Sequence, residues 1–167
     1  MDTDFDEYVV TRSGALLRLA YLLTGDGHRA EDLVQDTLER LCRRWSRMTH
    51  VADPHAYARK ILLNQHLSWR RKRASSELVV PDLPERAGED ETEAVGVRHL
   101  LWQRIGALPP RQRAVVILRY YEDLADADIA EALGISAGTV RSNAMRALTK
   151  LRSHPDLMST TLAEESR

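Results

Sequence analysis

One cysteine, one phenylalanine and three lysines stand among 167 residues, and no long apolar run interrupts the charged pattern. With Cys42 alone, no intramolecular disulfide can close and no cysteine-built metal site can form within one chain. A reducing compartment fits that usage. The opening MDTDFDEY is acidic and no apolar stretch reaches the length of a signal-peptide core or a membrane span, so the expectation is a soluble cytoplasmic protein without membrane insertion. The histidines (His28, His50, His55, His66, His99 and His154) lack ligand spacing of the HExxH kind and read as scattered surface residues. No metal, cofactor or small-molecule substrate is expected. Nor is there an excess of either charge: 24 lysines and arginines face 25 acidic residues. Net charge thus says nothing about nucleic acid, and only its distribution can. The basic set is almost all arginine, which a GC-rich coding sequence explains as readily as phosphate recognition does.

No strand pattern competes with the helical periodicity. Phe5, Val9, Leu16, Leu19, Ala20 and Leu23 fall close to a helical period, and Gly25 follows as a stop. From Ala30 to Trp45, Leu33, Val34, Thr37, Leu38, Leu41, Cys42 and Trp45 form one apolar stripe, which places Cys42 on the buried face. The opposite side carries Asp32, Gln35, Asp36 and Glu39, with Arg40, Arg43 and Arg44 after them. Acid toward the start and base toward the end suits the helix dipole, so a merely solvated face is one account of it. Asp53-Pro54 opens a third helix, because Asp caps and Pro is tolerated at the first helical position. It runs to about Arg73, with Tyr57, Ile61, Leu62, Leu63 and Leu67 as its apolar body. Arg59, Lys60, Arg70, Arg71, Lys72 and Arg73 are its basic residues, and Trp69 sits beside the terminal cluster. Such a helix end suits a nucleic-acid backbone and stacked bases, or is a solvated end with a core tryptophan.

Composition changes after Arg73. Pro81, Pro84, Gly88 and the run Glu89, Asp90, Glu91 and Glu93 read as a flexible acidic linker. Helices resume at Val97 to Leu108 and, after Pro109, at Pro110 to Tyr121. The stretch Asp126 to Arg146, DADIAEALGISAGTVRSNAMR, then has the spacing of a helix-turn-helix. Ala130 is small where the first helix needs it, Gly134 suits a left-handed turn, and Ser136 caps the second helix. Ile129, Leu133, Ile135 and Val140 close a small core between the two. Ala137, Thr139, Arg141, Ser142, Met145 and Arg146 remain on or near a face shaped for a major groove. An ordinary helical hairpin packed on a neighbour shares that spacing. The expected architecture is all-α: two small helical domains, 1–74 and 97–153, joined by a linker at 75–96 and followed by a tail at 154–167.

Taken together, AEDLVQDTLERL, the Asp53-to-Arg73 helix, LPPRQRAVVILRYYEDL and IAEALGISAGTVRS resemble the sigma-70 family in its short extracytoplasmic-function group. SWRRKR and LRYYED look especially like actinobacterial members. The resemblance implies a bacterial transcription initiation factor, not an enzyme, that binds core RNA polymerase, recognises minus-ten and minus-thirty-five promoter elements and helps open the duplex. It makes residues 1–74 the core-binding and minus-ten domain and 97–153 the minus-thirty-five domain. Asp32, Gln35, Asp36 and Glu39 become the patch for the beta-prime clamp helices. The loop Ser46 to Ala52 and Asn64 resemble the parts that capture a flipped base, and Arg59, Lys60, Arg70, Arg71 and Arg73 hold phosphates. Thr139, Arg141, Ser142, Met145 and Arg146 fall at the minus-thirty-five contact positions, with Arg111 and Arg113 adding backbone contacts. Leu118, Tyr121 and Leu124 are either the surface for the beta flap tip or core. Two positions depart from the family: Asn143 stands where many relatives carry arginine, weakening a phosphate contact or shifting base preference. Ala144 stands where a larger aliphatic is common, leaving the hairpin core less filled. An anti-sigma factor is a further partner that relatives commonly have. The competing reading is a homodimeric helix-turn-helix regulator that works without polymerase.

Overall fold

Residues 3–48, 50–76 and 93–153 are described by the computed structural model. Through them run α1 (Thr3–Thr24), α2 (Gly27–Arg44), α3 (Pro54–Ser75), α4 (Glu93–Ala107), α5 (Pro110–Val116), α6 (Asp126–Leu133) and α7 (Ala137–Arg152). Among the described residues there is no strand, so the all-α expectation holds. Most of the acidic linker (77–92), the tail from 154 onward and Thr49 of the loop lie outside the described residues.

Local chemistry sets the helix ends. The Asp26 carboxylate accepts from the N–H groups of His28 and Arg29 at 2.9 and 3.3 Å and starts α2. Asp53 does the same for His55 and Ala56, both at 3.0 Å, with Pro54 in the first turn of α3. Each such cap is worth about 1 kcal/mol. α6 stops at Gly134, whose φ of 65° is open to glycine without a Cβ penalty. Ile135 N–H then reaches back to Ala130 O at 3.0 Å, and Ser136 Oγ accepts from Thr139 N–H at 3.0 Å to begin α7.

α1, α2 and α3 bury Leu16, Leu19, Leu23, Leu41, Leu62 and Leu63 against one another. Phe5 and Tyr8 close the end of this bundle on Trp45, with ring centroids 5.2 and 5.3 Å apart. In the second half Val115, Ile117, Leu118, Ile129 and Val140 are buried at the junction of α5, α6 and α7. The buried apolar residues of both halves form one continuous cluster.

Several expectations need correction. Cys42 is exposed: the buried seam of α2 is Ala30, Val34, Thr37 and Leu41, and the residue after Leu41 lies about 100° further round the helix. α4 begins at Glu93, four residues before the expected start, so the end of the segment read as linker is helical. The Pro110-to-Tyr121 helix is not continuous; after Val116 it loosens into a π-turn at Ile117–Tyr121, in which Glu122 N–H bonds Ile117 O at 3.0 Å. That turn leaves Tyr120 and Tyr121 exposed and is followed by Asp123 at φ 54°.

Candidate nucleic-acid interface

Asp32, Gln35, Asp36 and Glu39 are all exposed and share one face of α2, opposite Val34, Thr37 and Leu41. Glu39 is paired with Arg43 one turn on. This leaves a solvated strip of three carboxylates and one amide backed by a well-packed helix.

The loop after α2 folds tightly: Trp45–Arg47 forms a 3-10 turn, Met48 is buried, and Val51 N–H returns to Met48 O at 2.9 Å. Val51 and Ala52 are exposed and lead into α3, where Asn64 is also exposed. The basic residues of α3 divide into distinct environments. Arg71 and Lys72 are exposed. Arg73 lies 5.1 Å from the Trp69 ring centroid, and Arg29 from the start of α2 stacks on the same ring at 3.4 Å. Trp69 therefore joins α2 to α3, with a partly exposed edge, and a free stacking platform is not what the ring presents. Arg70 and Lys60 are half-buried. Arg59 is sequestered: its side chain is 12% exposed and its Nη1 lies 3.5 Å from Glu122 Oε2, on the other half of the molecule.

Arg59 and Lys60 line one wall of a cleft of about 500 Å³ with Val51, Ala52, Asp53, Ala56 and Tyr57. Its other wall is Leu124, Asp128, Glu131 and Ala132, from α6 and the turn before it. On a second edge of the junction, Arg113 donates to Leu22 O. Burial pulls the Arg113 guanidinium down to about 10, with the nearby Arg70 charge adding to the effect. Arg113, expected to contact DNA backbone, is thus spent within the protein. His66, expected at the surface, is 3% exposed, and burial holds it neutral down to about pH 3 with Arg70, Arg113 and Arg29 opposing its charge. His55 is half-buried, bonded through Nδ1 to Tyr8 Oη at 3.1 Å. Among the described residues no three His, Cys, Asp or Glu side chains converge on a metal-sized site.

On α7, Arg141, Met145 and Arg146 are exposed, Met145 to 70%. Thr139 and Ser142 are half-buried; the Thr139 hydroxyl pairs with Ser136 Oγ at 2.8 Å, and Ser142 donates to Thr139 O at 3.1 Å. Asn143 is turned inward at 7% exposure and donates its amide to Thr139 O at 2.9 Å. It takes no place on the outer face, because a satisfied amide inside the hairpin is held there by its own helix. Ala144 is 1% exposed and sits in the same core. Of the three residues considered for a second polymerase contact, Leu118 is wholly buried, Leu124 is half-buried, and Tyr121 is exposed and meets Trp102 edge-on at 6.4 Å. Arg111 is exposed. Sequence reasoning gave no role to Glu122, Asp128 and Glu131, although they lie within the quoted segments, because they matter through the half they face.

Residues 9–76 match the family Sigma-70 region 2, and residues 98–151 match Sigma-70, region 4. The chain is 40% identical, across 98% of its own length and 94% of the relative's, to the RNA polymerase sigma-E factor of Streptomyces coelicolor. It is 32% identical to the ECF RNA polymerase sigma factor SigL of Mycobacterium tuberculosis, covering 89% of this chain and 84% of that one. In fold it is similar to the sigma factor RpoE solved in complex with the anti-sigma factor NepR from Bartonella quintana, with a TM-score of 0.74 at 24% identity over 91% of this chain and 96% of that one. The Mycobacterium tuberculosis extracytoplasmic function sigma factor SigJ gives a TM-score of 0.61 at 28% identity, covering 90% of this chain and 53% of that one.

Proposed function

The chain belongs to the sigma-70 family, in its extracytoplasmic-function group, and we propose how its surfaces divide the work of starting transcription. As such a factor it binds core RNA polymerase and recognises promoter DNA, a non-enzymatic role. Its place of work is the cytoplasm, where core polymerase and promoters are. The observation that carries the reading is the order along one chain of a region 2 match and a region 4 match, each with its own exposed polar face.

Asp32, Gln35, Asp36 and Glu39 are our candidates for the core contact, supported by their exposure on one face of a rigid helix. Charges at such a rim steer and orient more than they add affinity. In the domain we place at 1–74, Asn64 and the 46–52 loop are candidates for base capture. Extruding a base costs a few kcal/mol of stacking, which an exposed amide able to donate and accept at once helps to offset. Arg59, Lys60, Arg70, Arg71 and Arg73 would hold phosphates, supplying affinity and register but no sequence information.

In the domain we place at 97–153, Arg141, Met145 and Arg146 are the outward candidates for minus-thirty-five readout. Thr139 and Ser142 serve that face by shaping the start of α7. An arginine paired bidentately with guanine discriminates by ~1–3 kcal/mol, and a thioether packs on a thymine methyl. An anti-sigma factor is a further candidate partner, supported by fold likeness to a sigma factor solved with one. Transcription from a promoter library with purified core polymerase tests the whole reading. Promoter-specific transcripts are expected, and a stable homodimer that binds DNA but ignores core would overturn it.

A further inference from the structure

The outer side of α1 carries an apolar stripe that nothing in the described chain covers. Glu7, Val10, Gly14, Leu17 and Tyr21, spaced alternately three and four residues apart, share one face of the helix. All are exposed, Val10 to 83%, Leu17 to 39% and Tyr21 to 44%. That spacing is the seam of a paired helix. We infer that this face is a self-association surface, on which α1 of a second copy of the chain packs antiparallel about a two-fold axis at Gly14.

Gly14 is the first reason. A glycine inside a helix is costly beside alanine, and no contact within the described chain requires this one. A Cβ built there would meet only the Arg18 guanidinium, at an ordinary 3.7 Å. Between two helices, the same bare backbone permits a close approach. The second reason is that knob and hole lie on one helix at equal distances from that glycine. Val10 stands four residues before Gly14, and Arg18 stands four after it, where Gly14, Leu17, Arg18 and Tyr21 frame a hole. The hole opens into a groove of about 360 Å³ whose further walls include Leu22, Ala30 and Tyr121. Two-fold symmetry seats each Val10 in the other copy's hole at once, as an isologous interface requires.

Charge fixes the direction and the occupant. Asp4, Asp6 and Glu7 make the start of the exposed side acidic, and Arg12 and Arg18 make its later part basic. Parallel pairing would set acid on acid, whereas antiparallel pairing brings Glu7 within one turn of the partner's Arg18. Among the described residues neither Glu7 nor Arg18 has an ion pair within its own chain. The helix dipoles also oppose favourably in that arrangement. An unrelated partner has no reason to supply base and acid in the reverse order, and a second copy does so by symmetry. One helix face per copy falls short of the ~1,600 Å² of a standard stable interface, so the association is reversible and depends on concentration.

Sedimentation velocity on the full chain, from low to high micromolar concentration, reads the association. Neither core polymerase nor DNA is present, so the result stands apart from the promoter-factor reading. Wild type should rise from the monomer mass toward twice that value. Val10→Asp should weaken association by ~10-fold or more, because two-fold symmetry places the substitution in the interface twice. Glu7→Arg should weaken it as well, and adding Arg18→Glu should restore it, which no folding defect would do. Cross-linking checks the register in a Cys42→Ser background, with diamide as oxidant. Gly14→Cys brings two thiols together at the axis and should give a covalent dimer. Val10→Cys leaves its two copies about 12 Å apart along the helices, beyond disulfide reach, and should not. Circular dichroism checks that every variant keeps its helices. A monomer mass throughout, association indifferent to Val10→Asp, or equal cross-linking of the two cysteine variants overturns the proposal. The first of these is also the result expected were the groove filled by the chain's own 77–92 segment.

Discussion

Arg113 on α5 donates from Nε, at 2.9 Å, and from Nη2 to the carbonyl oxygen of Leu22, 91 residues earlier in the last turn of α1. Two donors on one helix-terminal carbonyl satisfy an acceptor that α1 cannot satisfy within its own helix. Arg113→Ala should lower stability to urea by ~1.5–3 kcal/mol, the range for hydrogen bonds to a charged group. Arg113→Lys should recover only part of it, since an ammonium cannot reproduce the fork. A midpoint unchanged in Arg113→Ala would mean the contact contributes nothing in solution.

Acid should destabilise the fold through His66. Its folded value, about 3, lies below the ordinary 6.5 because of burial. Between those values the unfolded chain binds a proton that the folded chain refuses, so the stabilisation is complete above about pH 6.5 and declines as pH falls toward 3. The expected slope is about 1.4 kcal/mol per pH unit once below that upper bound. His55 shifts the same way, again through burial, and contributes a smaller share. Urea midpoints from pH 7 to pH 5 measure the slope, and His66→Gln should flatten most of it.

Reversing the acidic strip with Asp36→Arg and Glu39→Arg should weaken core binding by ~10-fold or more, equivalent to ~1.4 kcal/mol, at unchanged helicity. Both positions are exposed, so nothing in the fold depends on their charge beyond the Glu39–Arg43 pair. Exposed pairs of that kind are worth well under 1 kcal/mol. Gel filtration with core polymerase beside circular dichroism reads the two properties, and wild-type affinity in the reversed variant would remove the strip from the interface.

Arg141 and Asn143 should separate readout from packing. Arg141→Ala is expected to lose ~1–3 kcal/mol of discrimination on promoters bearing the upstream element, with little loss where that element is absent. Asn143→Ala should instead cost ~0.5–1.5 kcal/mol of stability and leave promoter preference alone, because its amide bonds Thr139 O inside the hairpin. Thermal melts and transcription from paired promoters distinguish them. An altered base preference in Asn143→Ala would return that residue to the outer face.

What could be read from sequence was what neighbouring residues settle among themselves. Asp53-Pro54 and Ser136 are local signals for helix starts, Gly134 is one for a stop, and each sits where its side chain or its lack of one requires. The acidic face of α2 and the outward arginines of α7 followed from helical period alone. Cys42 was misplaced because one step round a helix separates seam from solvent, and only the packing of α1 and α3 fixes that phase. The inward turn of Asn143 was not legible, because an amide can serve its own helix as well as a ligand. Arg113 with Leu22, Arg59 with Glu122 and the burial of His66 all join distant parts of the chain, and no pattern within a window of sequence encodes them.

Arg59–Glu122 and Arg113–Leu22 would be a feeble interface between separate molecules, yet they act within a single chain. Intramolecular partners meet at an effective concentration in the millimolar range, so a contact too weak to hold a free pair together suffices to bias a tethered one. The same weakness limits what a competitor must supply to displace it. Tether and weak contact together form a threshold rather than a lock, and its height can be tuned one carboxylate at a time.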